Sequence, residues 1–135
     1  MDKWSNLKEL IESTLTETTG ELTKELVELC QGILVIDTEA KETRIQSSSR
    51  LTEKEEVVLY CLGRYLLAYI DDSVSPEISW RDLEKGLGIQ AKKISAYASV
   101  LKEDGLLVAG SRGSYRVRLA KMQEFLKQIR DKLGL

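Results

Sequence analysis

Between residues 90 and 121 the chain carries Lys92, Lys93, Lys102, Arg112, Arg116, Arg118 and Lys121 against only Glu103 and Asp104, a local charge of +5. Ammonium and guanidinium groups at this density neutralise phosphate oxygens, so nucleic acid is the ligand class this stretch suits. The balance elsewhere is the reverse. Residues 1–50 hold 6 Lys+Arg against 10 Asp+Glu, residues 51–135 hold 14 against 12, and the whole chain stands at −2.

Catalytic chemistry finds little to work with. The chain has no histidine, which removes the usual general base at neutral pH. It has no GxSxG, no P-loop and no Gly-rich dinucleotide turn, so no enzyme is expected. Cys30 and Cys61 are the only cysteines, and without a CxxC or a histidine they cannot build a tetrahedral zinc site. Buried reduced thiols are expected rather than a disulfide, and neither a metal nor a cofactor is implied. The N-terminus lacks the apolar core of a signal peptide, and no apolar run approaches the roughly 20 residues that span a bilayer. A cytoplasmic protein without a membrane partner is the expectation.

The elements that must position these groups follow from hydrophobic spacing and caps. Trp4, Leu7, Leu10, Ile11 and Leu15 recur at helical spacing over the first 15 residues. Thr18 with Glu21 forms a capping-box pattern for a second helix through about residue 30, with Leu22, Leu26, Leu29 and Cys30 as its buried stripe. Ile33 to Ile36 has strand composition, and residues 42–46 return as its partner after a turn at 37–41. Ser47 to Ser49 reads as a short linker and the expected domain boundary.

Thr52 with Glu55 opens a long helix over 53–70, with Val57, Val58, Cys61, Leu62, Tyr65, Leu66 and Tyr69 on its apolar face. Ser79 with Asp82 caps a shorter helix containing Leu83 and Leu87, which Gly88 ends. A helix over 91–103 turns Ile94, Tyr97, Ala98 and Leu101 inward, and Gly105 ends it. Residues 106–109 and 115–119 then read as paired strands around a Gly-Ser-Arg-Gly tip. A last helix from Ala120 carries Met122, Phe125, Leu126, Ile129 and Leu133 along one stripe, which must be buried within the chain or on a partner. The expected class is α+β, mainly α.

Residues 51–119, with Ile78, Leu83, Leu87, Gly88, Ile89, Ile94, Ser95, Leu101, Gly105 and Leu106 at core and turn positions, resemble the winged helix-turn-helix family, particularly its dimeric prokaryotic and archaeal transcription regulators. The resemblance implies a winged-helix domain over 51–119. It is preceded by a helix–helix–hairpin extension over 1–50 for dimer or partner contact and followed by a C-terminal helix over 120–135. It further implies a homodimer on double-stranded DNA, with the 91–103 helix in the major groove and the 106–119 wing on the backbone or minor groove. Gln90, Lys92 and Lys93 then become base-edge or phosphate contacts, and Ser95 turns its hydroxyl toward the backbone. Ser99 lies on the outward face with little to read, Arg112 sits at the wing tip, and Arg116 and Arg118 share one face of the returning strand. The alternative is a winged helix used for protein contacts within a larger assembly, favoured by the acidic extension and by a recognition helix without arginine.

Overall fold

The computed structural model describes Leu7 and residues 21–135. The helix expected over the first 15 residues lies outside the described residues except for Leu7, which is helical and exposed. The fold is α+β, mainly helical, with two small antiparallel sheets.

Helix α1 (Lys24–Leu29) starts later than the Thr18–Glu21 pattern implies, because residues 21–23 are not helical. Thr23 supplies the cap instead, its Oγ1 accepting a bond from the Leu26 amide at 3.2 Å. Six residues are too few for a helix to persist alone. Burial of Leu26 and Cys30 and a distant arginine hold it. Arg130 donates to the carbonyls of Leu29 (3.3 Å) and Gln31 (2.7 Å), satisfying acceptors that a helix C-terminus leaves open.

Strands β1 (Leu34–Asp37) and β2 (Glu42–Ile45) pair antiparallel with Leu34 opposite Ile45 and Asp37 opposite Glu42. Asp37 Oδ1 accepts from the amides of Glu39 and Ala40, which turns the chain. The hairpin lies on helix α2 (Glu53–Ile70). Here the capping box is complete: Thr52 Oγ1 accepts from the Glu55 amide at 3.1 Å and Glu55 Oε1 from the Thr52 amide at 2.8 Å. Val57, Val58, Leu59, Cys61, Leu62, Gly63 and Leu67 are buried, so α2 is enclosed on more than one side. Tyr69, expected on its inner face, is instead 69% exposed beside Ile70 at 62%, because the last turn projects past the core.

A two-residue strand, β3 (Ile78–Ser79), forms two residues after Pro76, whose ring favours extended backbone at this entry. It leads into helices α3 (Trp80–Leu87) and α4 (Ala91–Glu103). Ser79 caps α3 by accepting from the Asp82 amide, and Gly88, at φ 68°, makes the left-handed turn between the helices. Strands β4 (Leu107–Ala109) and β5 (Ser114–Val117) form a hairpin, and β3 adds to its far edge in the order β3-β5-β4. Helix α5 (Leu119–Leu133) closes the chain.

The α5 stripe of Met122, Leu126, Ile129 and Leu133 is buried inside the chain, with α1 packed on the helix. Arg50 fixes its end by donating to the carbonyls of Leu133 and Lys132. One hydrophobic cluster joins Leu26, Cys30 and Ile33 to the α2, α3, α4 and α5 residues, so the core runs unbroken across Ser47–Ser49. Both cysteines are buried free thiols. Desolvation pushes Cys30 up to about 11 and Cys61 up to about 12, which keeps them protonated and unreactive at neutral pH. Among the described residues no helix is long and apolar enough to cross a membrane.

Candidate functional site

The charged stretch of the sequence folds into α4 and the β4–β5 hairpin. On α4, Ile94, Ala98 and Leu101 are buried and fix the helix's rotation. At about 100° per residue the opposite stripe is Lys92, Ala96, Ser99 and, at the far end, Glu103, all exposed. Ser95 falls on one flank, on the same side as Lys102, whose ammonium lies 5.9 Å from the centre of the Tyr115 ring on β5. Lys93 falls on the other flank together with Tyr97, one turn on. Gln90 is the residue at which α4 begins, but its side chain makes no capping bond and is exposed. No acidic residue stands in the first turn of α4, so its amide end keeps its positive character.

Lys93 does not point freely to solvent. Its Nζ lies 3.5 Å from Glu53 Oε1, and the same oxygen accepts the Tyr97 hydroxyl at 2.9 Å. Glu53 stands in the first turn of α2 with Glu55 and Glu56. Hydrogen bonding to Glu53 also raises the Tyr97 phenol above its ordinary pKa, since the carboxylate holds the proton in place.

The hairpin tip is held by a second acid. Glu77 Oε2 accepts the Ser111 amide at 2.9 Å and the Ser111 hydroxyl at 2.7 Å. The Ser114 hydroxyl is 3.0 Å from Glu77 Oε2 and 2.7 Å from the Ser111 carbonyl, and its one proton serves either. Gly110 makes room for the acid, because a Cβ there would stand 2.5 Å from Glu77 Cδ. The Trp80 amide donates to the Gly113 carbonyl at 3.1 Å and ties the tip to the start of α3. Arg112 is exposed at that tip.

Arg116 lies on β5 opposite Val108 and is half-buried, close enough for its charge to act on Glu77. The strand β5 ends at Val117, and Arg118, still in extended backbone, is the capping position of α5. Leu119 is buried as the first residue of α5, so the helix begins one residue earlier than expected, and the Arg118 amide still reaches the Leu106 carbonyl across the hairpin at 3.0 Å.

The bonds from Ser111 and Ser114, with Arg116 nearby, hold the Glu77 carboxyl below its ordinary value of 4.5. A depressed carboxyl stabilises the fold above its unfolded pKa and loses that contribution as pH falls through the folded value. The Ser111 amide resonance should therefore titrate below the ordinary glutamate range. In Glu77→Gln that titration should vanish, and a Ser111 shift still moving with the same midpoint would remove Glu77 as its cause.

The +5 of the linear sequence is thus reduced in space. Folding brings Glu53 to Lys93 and Glu77 to the hairpin tip, neither of them a neighbour in sequence. Lys92, Arg112, Arg116 and Lys121 have no hydrogen-bond, ion-pair or ring partner among the described residues, and of these Lys92 and Arg112 are exposed on the α4 and hairpin-tip surface while the Arg116 Nε is buried without an acceptor. Two adjoining clefts of about 340 and 460 Å³ lie elsewhere, between β2, α2 and α3, and share Thr43, Arg44, Tyr60 and Gly86. Around them Arg64 lies 3.6 Å from Asp82 and Lys41 3.6 Å from Asp71.

No known protein family, curated protein or solved structure matches the chain.

Proposed function

We propose that this chain is a winged-helix DNA-binding protein, a cytoplasmic transcription regulator that acts as a homodimer on double-stranded DNA. The observation that carries the reading is the uncovered outer stripe of α4. Lys92, Ala96 and Ser99 face away from the core, the acid-free start of the helix is open at Gln90, and the hairpin tip with Arg112 is fixed by Glu77. The order β3, α3, Gly88 turn, α4, β4, β5 supports the same reading. In it α4 lies in the major groove and Arg112 reaches the backbone or minor groove, with two α4 helices about 34 Å apart in the dimer.

Lys92, Lys93 and Arg112 are the phosphate contacts, and Gln90 is the group best suited to a base edge. Ala96 and Ser99 read little, so affinity rests on charge more than on sequence. The homodimer does not use the α5 stripe, which is already buried within one chain. Among the described residues, the exposed apolar side chains left to it include Tyr69 and Ile70 at the end of α2, Val27 on α1 and Leu135.

Fluorescence anisotropy with a random duplex at low salt tests the reading. Binding tighter than about 100 μM is expected, as for non-specific DNA binders generally. Lys92→Ala and Arg112→Ala should each weaken it and lower the salt slope by about 0.9. Unchanged affinity and slope in both would sink the assignment. The second reading, a winged helix used for protein contacts in an assembly, is favoured by the sparse reading face of α4 and by Val100, 41% exposed on that helix. Absence of duplex binding at about 100 μM would select it.

A further inference from the structure

We infer that Glu53 is a built-in phosphate surrogate, occupying Lys93 in the free protein so that DNA must displace it before the lysine counts toward binding. The inference rests on the DNA-binding reading and concerns regulation of the same face. Three observations carry it. Glu53 Oε1 lies 3.5 Å from Lys93 Nζ, a loose ion pair rather than the roughly 2.7–2.9 Å bond that ammonium makes to a well-placed anion, so one carboxylate oxygen screens the ammonium without locking it. The Tyr97 hydroxyl donates to that same oxygen at 2.9 Å in a partly buried bond, so the carboxylate is held in place rather than swinging in solvent. Finally, Lys93 and Tyr97 are one turn apart on the flank of α4 that faces the start of α2, so two α4 residues converge on one acid.

An exposed ion pair of this kind is weak, and its weakness is what makes it usable. Both side chains remain about half exposed, at 57% for Lys93 and 43% for Glu53. A tight buried pair would silence Lys93 permanently. A weak one yields to a phosphate that also gains from Lys92, the α4 amide end and counterion release. On a surface with few unpaired cations, the state of this one lysine changes the total noticeably. Glu53 therefore sets the threshold at which the face engages a polyanion, and it disfavours isolated anions relative to duplex DNA.

The alternative account is general repulsion, in which any acid near the interface weakens DNA binding without reference to Lys93. A double-mutant cycle separates the two. Wild type, Glu53→Gln, Lys93→Ala and the double variant would be titrated with one random duplex over a range of salt. Glu53→Gln should bind about two- to five-fold tighter at low salt, with a steeper salt slope, and the gain should disappear in the Lys93→Ala background.

An equal gain in both backgrounds, or no gain in either, overturns the inference while leaving DNA binding standing. No binding by any of the four overturns the DNA reading and the competition with it. Melting curves accompany each variant, since Glu53 also favours the α2 start through the helix dipole. Should Glu53→Gln fold poorly, Tyr97→Phe tests the same arrangement. It leaves both charges and frees the carboxylate, and it should give a smaller gain that also requires Lys93.

Discussion

Leu126→Ala should lower the stability of the protein by about 2–5 kcal/mol, a large share of the roughly 5–15 kcal/mol that holds a domain of this size together. Leu126 is fully buried in the stripe that also contains Met122, Ile129 and Leu133. Truncating it removes apolar contacts and leaves a cavity that its neighbours refill only in part. The same stripe, seen as sequence alone, equally suits a dimer surface, and the two roles predict different measurements. Because α5 packs on α1 and is tied down by Arg50 at one end and Arg130 further along, the loss belongs to the single chain. Urea unfolding followed by circular dichroism should give the same loss at low and high protein concentration. A loss that shrinks as concentration rises would place the stripe between subunits.

The parts of this fold that were legible in the sequence are those whose determinants are local. Thr52 and Glu55 are three residues apart, and both reciprocal bonds of their capping box form. Ser79 accepts from the Asp82 amide without the reciprocal bond, the Asp82 carboxylate lying 3.6 Å from Arg64 instead, and Gly88 takes the positive φ that its place after Leu87 implies. The outward positions of α4 also followed from spacing, because burial of Ile94, Ala98 and Leu101 leaves little freedom in the helix's rotation. The second helix start was misread for the converse reason. Threonines at 16, 18, 19 and 23 offer competing caps, and the choice of Thr23 depends on where Leu26 and Cys30 must pack.

What local reasoning missed is a set of contacts between residues far apart in the chain. Tyr97 meets Glu53 across 44 residues and Ser111 meets Glu77 across 34. The strand Ile78–Ser79 shows the same limit: two residues have no detectable period, and they become a strand only because β5 presents Ser114 and Tyr115 to pair with them. Counting charge in a sequence window was misleading for this reason, since it included Lys93 and Arg116 and left out the acids that folding places beside them. The polar face of α4 is thus weaker than its composition, and better defined.

Gly63→Ala should destabilise the protein by about 1–3 kcal/mol even though alanine is the better helix former by roughly 0.5–1 kcal/mol. Gly63 lies mid-helix in α2, a position where glycine ordinarily costs stability, so a packing reason is required. A Cβ built there would stand 2.1 Å from Thr43 Cγ2, 2.6 Å from its Oγ1 and 2.7 Å from its Cβ. Rotating the threonine relieves the first two contacts but not the third, so the β2 backbone itself must retreat from the helix. Thr43 is buried where β2 packs on α2, so the strain falls on the β1–β2 pair rather than on α4. Amide exchange should accordingly quicken over residues 34–45 while the α4 amides keep the protection that global stability allows. Thr43→Gly in the Gly63→Ala background removes the side chain that obstructs and should recover part of the loss, though glycine weakens the strand itself. If Gly63→Ala alone matches or exceeds the wild-type urea midpoint, the hairpin is not seated on α2 as described, and the close approach of Thr43 to Gly63 is wrong.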